Sequence, residues 1–411
     1  MAESGHASGL LGVDAAIARL VGIARQQLPE TEEVGLSHAP GRVLALDVRA
    51  GMNVPPEANS AMDGIAFCHA DLSSAAELGI SQRIPAGHVP AALQKNTAAR
   101  IFTGAILPAG ADTVAMQENC EFFAESVRLK AVPECGANVR QAGQDVHRDA
   151  VILQTGTRLN APALGLLAST GMDVVSVYKR LRVAVLATGD ELLEPGEPWR
   201  SGSIYNSNRP MLSALLSGWG CEVIDLGRVA DTQEATIAAL CGALAEKVDV
   251  IISSGGVSVG EEDHVRAALQ SQGRLDFWKI AIKPGKPVAV GDIDGVAFLG
   301  LPGNPQSVFI TALLLARPFL LARQGQTSVL PAAFAVPAGF SRSKKADRRE
   351  YVRVQMQSSA SGPELHPHPQ QSSGALLSAV WADGLALLET GSVLEAGQII
   401  PFLPFSTLYQ P

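Results

Sequence analysis

The chain has 411 residues, of which 47% are hydrophobic and 18% are charged, and its formal net charge is −8. That length exceeds what one hydrophobic core usually supports, so we expect several domains. The negative charge gives no general attraction to nucleic acid or to an anionic membrane, and neither is expected as a partner.

Cysteine content and the chain start bear on location. The five cysteines include no Cys-x-x-Cys pair, which argues against a disulfide framework and a zinc ribbon and favours a reducing cytoplasm. The first residues, MAESGHASGLLG, lack a basic segment before an apolar core, so no export signal is expected. The longest apolar stretch, TALLLARPFLLA, is interrupted by Arg317 and Pro318, so we expect no membrane span.

The N-terminal region is predicted to begin with a helix and to continue as β structure. Apolar residues at Val13, Ile17, Leu20 and Ala24 recur at helical spacing and predict an amphipathic helix over about residues 13–28. Short β-like runs with Gly, Pro and Asn turns follow from 34 to 151, typical of small antiparallel sheets. We predict a discontinuous N-terminal helical and linker domain and an inserted β-rich domain, with the boundaries 1–50 plus 140–178 and 51–139.

The second half of the chain changes pattern twice. Alternating strands and helices over 179–325 predict a doubly wound, mostly parallel α/β domain. Its predicted elements are strand 181–187, helix 208–219, strand 222–226, helix 233–246, strand 249–253, helix 261–272, strand 275–282, a hairpin over 291–300 and helix 305–322. Short β runs then predict a C-terminal β barrel or sandwich over 326–411. We therefore expect an elongated multidomain chain that combines α/β and β structure.

Three turns that follow apolar strands predict the binding site, at residues 188–191, 253–260 and 301–305. The carboxyl ends of parallel strands share one sheet edge, where ligands bind, and a helix that starts there offers free N–H groups to an anion. Gly255 and Gly256 allow close approach to the backbone. Ser307 would lie in a first helical turn, where it could cap the helix or bind an oxyanion. These features point to a phosphate-bearing ligand.

Acidic residues near these turns have two interpretations. Asp190 and Glu191 could bind a divalent cation through oxygen ligands, or could be ordinary turn residues. Asp263 could hold a cation that bridges phosphates, or could offset the dipole of the helix that it begins.

Basic residues near the same turns are equally ambiguous. Lys283 and Lys286 flank a turn that two prolines stiffen, which suits an oxyanion, although exposed lysines usually contact only solvent. A basic segment could neutralise an anion or protect a strand edge; it comprises Arg342, Lys344, Lys345, Arg348, Arg349 and Arg353.

Six tracts in order, NSAMDG, RIFTGA, TGDEL, SSGGVSVGEEDH, FWKIAIKPGKP and GLPGNPQS, resemble the molybdopterin molybdenumtransferase or molybdenum insertase family, to which the gephyrin E domain belongs. The resemblance spans residues 13–405. It implies a cytoplasmic homodimer of four-part subunits that binds adenylylated molybdopterin, takes up molybdate, and releases AMP and molybdenum cofactor with the aid of Mg²⁺. The partner subunit's front β domain would close the cleft, and other molybdenum-cofactor proteins are further candidate partners.

The resemblance also implies roles for individual residues. The catalytic set is Asp63, Thr103, Asp145, Glu191, Asp231 and Asp263, with Glu191 and Asp263 as metal ligands. The substrate-binding set is Gly255, Gly256, Ser258, Lys279, Lys283, Lys286, Pro302, Pro305, Ser307, Arg348 and Ser373. The chain departs from the family pattern in the front domain, at Ala58, Ile65, Gln141, Ala142 and Gln144.

Two other functions compete with this hypothesis. A molybdopterin adenylyltransferase would share the α/β domain but would normally lack the NSAMDG front domain. A gephyrin-like scaffold would use the same fold to present peptide-binding surfaces, although nothing in the sequence looks like an appended receptor-binding arm.

Overall fold

The computed structural model describes residues 10–72, 76–256, 274–360 and 362–410. These residues combine one mixed α/β layer with β-rich parts on either side of it in sequence. The expectation of a multidomain chain that mixes α/β and β structure is confirmed at this level. The helix predicted for 261–272 lies outside the described residues.

A six-stranded sheet forms the α/β part. In spatial order its strands are Glu222–Val229, Arg182–Thr188, Val250–Ser254, Val296–Leu301, Pro287–Ile293 and Arg274–Lys279. The first four strands are parallel to one another. The fifth strand pairs antiparallel with the fourth, and the sixth pairs antiparallel with the fifth. The apolar sequences of Arg182–Thr188 and Val250–Ser254 reflect burial on both faces of the sheet.

Helices cover both faces of this sheet. Val183 and Val185 belong to one core, whereas the alternate residues Ala184 and Leu186 belong to the opposite one. The first core is covered by the helices Val13–Ala24, Asn208–Gly218 and Pro305–Thr311, and the second core is covered by the helix Gln233–Ala245. The helix Pro305–Thr311 continues through a π-helical segment, Ala312–Ala316, into the helix Arg317–Arg323. The helical stretch Pro305–Arg323 is long and apolar enough to cross a membrane, yet 94% of its most apolar window is buried, as in a core helix.

The C-terminal part forms a second six-stranded sheet. Its main path is Ile282–Lys283, Arg349–Ser359, Gly384–Leu388, Ile399–Pro404 and Phe334–Pro337, and Gly362–Pro367 pairs with the long strand. Two short helices, Leu377–Trp381 and Phe405–Tyr409, accompany it. Since Ile282–Lys283 comes from the α/β region, this strand joins the two parts beside the predicted lysine turn.

The front part contains a third six-stranded sheet. Its order is Thr113–Met116, Gly64–Phe67, Thr97–Ile101, Glu77–Ile84, Ser126–Leu129 and Cys120–Phe122. Three antiparallel pairs lie outside it: Thr31–Gly35 with Val174–Tyr178, Val48–Arg49 with Val151–Leu153, and Asn59–Ser60 with Val139–Arg140. The helix Ala161–Ser169 is capped by Asn160, whose Oδ1 accepts from the Ala163 amide at 3.0 Å. The domain boundaries themselves stay predictions.

The bounds of several predicted elements differ from the structure. The strand predicted for 222–226 continues to Val229, and the predicted hairpin is formed by Pro287–Ile293 and Val296–Leu301. The first helix ends at Ala24 rather than near residue 28. Beyond it the chain continues in tighter turns, because the Gln26 amide donates to Ile23 O (3.2 Å) and the Gln27 amide to Ala24 O (3.4 Å). The strand predicted for 275–282 ends at Lys279. The next two amides leave the sheet: Ile280 N donates to Lys286 O (2.9 Å) and Ala281 N donates to Leu11 O (2.8 Å).

Candidate functional site

A cleft of about 870 Å³ lies at the carboxyl edge of the central sheet. The predicted strand-end turns meet there, together with loops of the C-terminal sheet. Eleven of the predicted site residues line it: Glu191, Asp231, Gly255, Gly256, Lys283, Lys286, Pro302, Pro305, Ser307, Arg348 and Ser373.

Of the remaining predicted residues, those that the structure describes do not line this cleft. Ser258 and Asp263 lie outside the described residues. Lys279 is exposed and is paired with Pro287 in the outermost strand pair. Asp63, Thr103 and Asp145 belong to the front part of the chain, and their roles, like that of Lys279, stay predictions.

Close backbone packing forms the floor of the cleft. Gly255 has a φ of 89°, and a Cβ added there would stand 2.8 Å from Thr188 O. Its amide donates to Leu301 O at 3.2 Å. Only glycine fits this conformation and this distance, so the ends of three neighbouring strands are held together at one point.

Two asparagines that sequence analysis missed support the same edge. Asn206 is 1% exposed and Asn208 is 9% exposed, and both line the cleft. Asn208 Nδ2 donates to Gly303 O at 2.7 Å, whereas its buried Oδ1 has no hydrogen-bond partner among the described residues. The polar tract Asn206-Ser207-Asn208 between an apolar pair and a helix start is the signal that could have found them.

The two acids of the first turn differ in environment. Asp190 Oδ1 accepts from the Asp231 amide at 3.1 Å, so this carboxylate connects two strand ends. Glu191 is exposed and lines the cleft. A Cβ on Gly189 would lie only 2.7 Å from Glu191 Oε2, so the carboxylate folds back over that glycine. Of the two, Glu191 is the carboxylate that a ligand can reach.

A buried carboxylate lies among the cations on the other side of the cleft. Glu350 is 6% exposed and faces Lys283, its register partner in parallel pairing. Its Oε1 lies 3.5 Å from Lys283 Nζ, and its Oε2 lies 2.8 Å from Arg342 Nη1. Nearby, Arg348 Nη1 donates to Ile282 O at 3.1 Å. Glu350 therefore fixes the position of Lys283 while neutralising part of the basic segment.

The basic segment is not a uniform surface. Arg353 is 1% exposed; its Nε donates to Ser378 Oγ (3.1 Å) and its Nη2 to Ser372 O (3.2 Å), and burial lowers its pKa to about 10. It therefore holds the loop that carries Ser373, whose carbonyl oxygen accepts from the Gln306 amide at 2.9 Å. This loop is thereby fixed against the start of the helix that carries Ser307.

Strand order separates the charges of the cleft. Asp231 and Glu191 follow the first two strands of the sheet order, whereas Lys286 precedes Pro287–Ile293, the fifth strand. Four steps between adjacent strands, of about 4.8 Å each, separate the first strand from the fifth by roughly 19 Å. The cleft thus has a carboxylate end and a cationic end, far enough apart for an elongated ligand.

In the front part, two residues predicted from separate motifs are in direct contact. Asp63 Oδ1 accepts from both the amide and the hydroxyl of Thr103, each at 2.8 Å. These hydrogen bonds, the backbone one first, hold the pKa of Asp63 below its ordinary value. Asp145 is exposed, and its amide donates to Val54 O at 2.9 Å.

The fold and the cleft define a class: multidomain proteins whose mostly parallel α/β sheet carries, at its carboxyl edge, a cleft lined by cationic and acidic side chains. Three family models match the chain in order. They are the MoeA N-terminal region (domain I and II) over residues 11–171, a probable molybdopterin binding domain over 184–322 and the MoeA C-terminal region (domain IV) over 335–405.

Named relatives agree with these matches. The chain is 40% identical over 334 residues to a molybdopterin molybdenumtransferase of Haemophilus influenzae, covering 80% of this chain and 82% of the relative. It is 32% identical over 400 residues to one of Synechococcus elongatus, covering 94% and 98%. A crystal structure of a molybdopterin biosynthesis MoeA protein from Pyrococcus horikoshii matches with a TM-score of 0.82 at 25% identity, covering 96% of this chain and all of that one. The chain belongs to the molybdopterin molybdenumtransferase family.

Proposed function

We propose that the chain inserts molybdate into adenylylated molybdopterin and releases AMP and molybdenum cofactor. The observation that carries this proposal is the cleft with a cationic end and a carboxylate end. A substrate that joins phosphates to a nucleotide and a pterin is long, anionic in its phosphates and uncharged in its rings, and it suits such a cleft. The family's name describes the same activity for its relatives.

The cationic end would bind the oxyanions. Lys283, Lys286 and Arg348 would offset the charge of molybdate and of the phosphates, in a position fixed partly by Glu350. Ser307 lies in the first turn of its helix, where its hydroxyl group can donate to an oxyanion. As molybdenum reaches the dithiolene, these fixed donors would stabilise the charge that develops when the phosphoanhydride is cleaved. The reaction needs no covalent protein nucleophile.

The carboxylate end would accept Mg²⁺. Within the described residues, no group of three or more His, Cys, Asp or Glu side chains is arranged to hold a metal ion. Mg²⁺ usually takes one or two protein carboxylates and completes its shell with water and phosphate oxygens. We propose Glu191, with the predicted Asp263, as the carboxylates, and the ion would neutralise phosphate charge.

A second copy of the chain would complete the site. Asp63 and Thr103 contact each other but do not line the cleft of their own chain. We propose a cytoplasmic homodimer in which the partner's front sheet presents this pair to the cleft. Other molybdenum-cofactor proteins are further proposed partners.

The nearest rival, an adenylyltransferase, is less well supported. The chain carries a β-rich front part and a C-terminal sheet in addition to the α/β sheet that the two functions would share. A scaffold role has no specific observation in its favour.

The decisive experiment follows AMP release during anaerobic incubation with adenylylated molybdopterin, with and without molybdate. We expect molybdate-dependent release of AMP together with molybdenum cofactor. Formation of adenylylated molybdopterin from ATP and molybdopterin, without molybdate-dependent AMP release, would instead assign the adenylyltransferase.

A matched pair of variants tests the cationic end. Replacing Lys283 and Lys286 together by Ala should weaken molybdate binding, measured by calorimetry. Replacing Lys344 and Lys345, two exposed lysines of the same region that do not line the cleft, is the control. Equal affinities in the two double variants would contradict the assignment of the lysine turn to oxyanion binding.

A further inference from the structure

An apolar patch, formed by Ile204 and Tyr205, lies at the carboxylate end of the cleft. Ile204 and Tyr205 both line the cleft, and they remain 57% and 44% exposed. Leu192, the register partner of Ile204, also lines the cleft and extends this apolar surface, and the acidic residues Glu191 and Asp231 line the cleft nearby. Exposed apolar and aromatic surface inside a polar cleft is what a binding site for an uncharged ring requires.

Backbone and side-chain hydrogen bonds hold this apolar patch in a fixed position. Ile204–Tyr205 pairs in parallel with Leu192–Leu193. The Ile204 amide donates to Glu191 O at 2.8 Å, so the apolar patch is attached to the strand-end turn. Tyr205 Oη donates to Glu197 O at 2.9 Å. The polar atom of the phenol group is therefore satisfied locally, and its ring can serve as a contact surface.

We propose that Ile204 and Tyr205 form a subsite for a flat heterocycle of the ligand that carries N–H donors, either adenine or a pterin. The assignment rests on the proposed function and extends it to a residue that sets specificity. The carboxylate of Asp231 lines the same end and can accept hydrogen bonds, so this end suits an uncharged ring that carries N–H donors. The separation of roughly 19 Å between the outer strands of the cleft leaves room for the phosphates at Lys283 and Lys286.

The experiment measures ligand binding by calorimetry with the full chain. The ligands are AMP, ribose 5-phosphate, a free pterin and molybdate, each tested alone. The variants are Tyr205→Ala, Tyr205→Phe, which keeps a ring, and Trp199→Ala. Trp199 is the matched control, because it is a 65% exposed aromatic residue of the same segment that does not line the cleft.

We expect Tyr205→Ala to weaken the binding of AMP, of the pterin or of both by about 5- to 150-fold, the effect of losing one base–aromatic stacking contact. Tyr205→Phe should recover most of that loss, and Trp199→Ala should match the wild type. A loss for AMP alone assigns the subsite to adenine, and a loss for the pterin alone assigns it to the pterin. Molybdate affinity should be the same in all variants.

Three results would overturn the subsite: no weakening by Tyr205→Ala, equal weakening for ribose 5-phosphate, or a wild type that binds neither ring. An equal loss of molybdate affinity would likewise show that Tyr205 only supports the fold of the cleft. Failure of the proposed function is distinguishable, because it would appear as a wild type without molybdate-dependent AMP release.

Discussion

Replacing Glu350 by Gln tests whether the buried carboxylate organises the cationic end of the cleft. The change keeps the size of the side chain and removes its charge. The side chain of Glu350 is 8% exposed, and it lies 3.5 Å from Lys283 Nζ and 2.8 Å from Arg342 Nη1. We therefore expect loss of stability from lost attraction rather than from a cavity.

The magnitude follows from opposing electrostatic contributions. At an effective dielectric constant of about 20, each of the two attractions is on the order of 5 kcal/mol. The side chains of Lys283 and Arg342 are 41% and 28% exposed, so water screens both. Removing the charged carboxylate from water costs several kcal/mol, and the neutral amide of Gln avoids this desolvation cost. We expect a net decrease of about 2–3 kcal/mol in the free energy of unfolding, below the full cost of breaking a buried pair.

The measurement is equilibrium urea unfolding followed by circular dichroism and tryptophan fluorescence. The matched control is Glu389→Gln, which also removes a carboxylate that pairs with an arginine, Arg349, but at a side chain that is 58% exposed. The control substitution should lower the free energy of unfolding by less than about 1 kcal/mol. The reasoning fails if Glu350→Gln costs no more than this control, because burial would then give the carboxylate no special role.

Two further predictions concern the front part and the floor of the cleft. Thr103→Val removes one of the two hydrogen bonds to Asp63, so the pKa of Asp63 should rise but stay below its ordinary value, because the backbone N–H still donates. A carboxyl NMR titration that shows no rise would contradict the contact. Gly255→Ala places a Cβ 2.8 Å from Thr188 O at positive φ, and it should lower the unfolding free energy by about 1–3 kcal/mol. The control is Gly22→Ala, at a helical position where an added Cβ meets open space; it should raise the free energy of unfolding by about 0.5–1 kcal/mol. Equal effects of the two substitutions in urea unfolding would refute the packing argument.

Local sequence patterns predicted much of the α/β part. Apolar runs and their turns gave the strands that end at Thr188, Ser254 and Leu301, because burial on both faces of a parallel sheet leaves a readable signature. The same rule predicted that their turns would converge. The break after Lys279 was not predicted, because it depends on hydrogen bonds from Ile280 and Ala281 to partners outside the strand.

Composition and short-range order determined the family resemblance, the glycine turns and the stiff lysine loop. Tertiary structure alone decided which charges face one another. Arg348 and Arg353 look alike in the sequence and both line the cleft, yet the side chain of Arg348 is 22% exposed whereas Arg353 is almost fully buried beneath its loop. Glu350 reads as a plain strand residue until the register pairs it with Lys283. Register and sheet docking arise from contacts between residues far apart in the chain, so no local pattern records them.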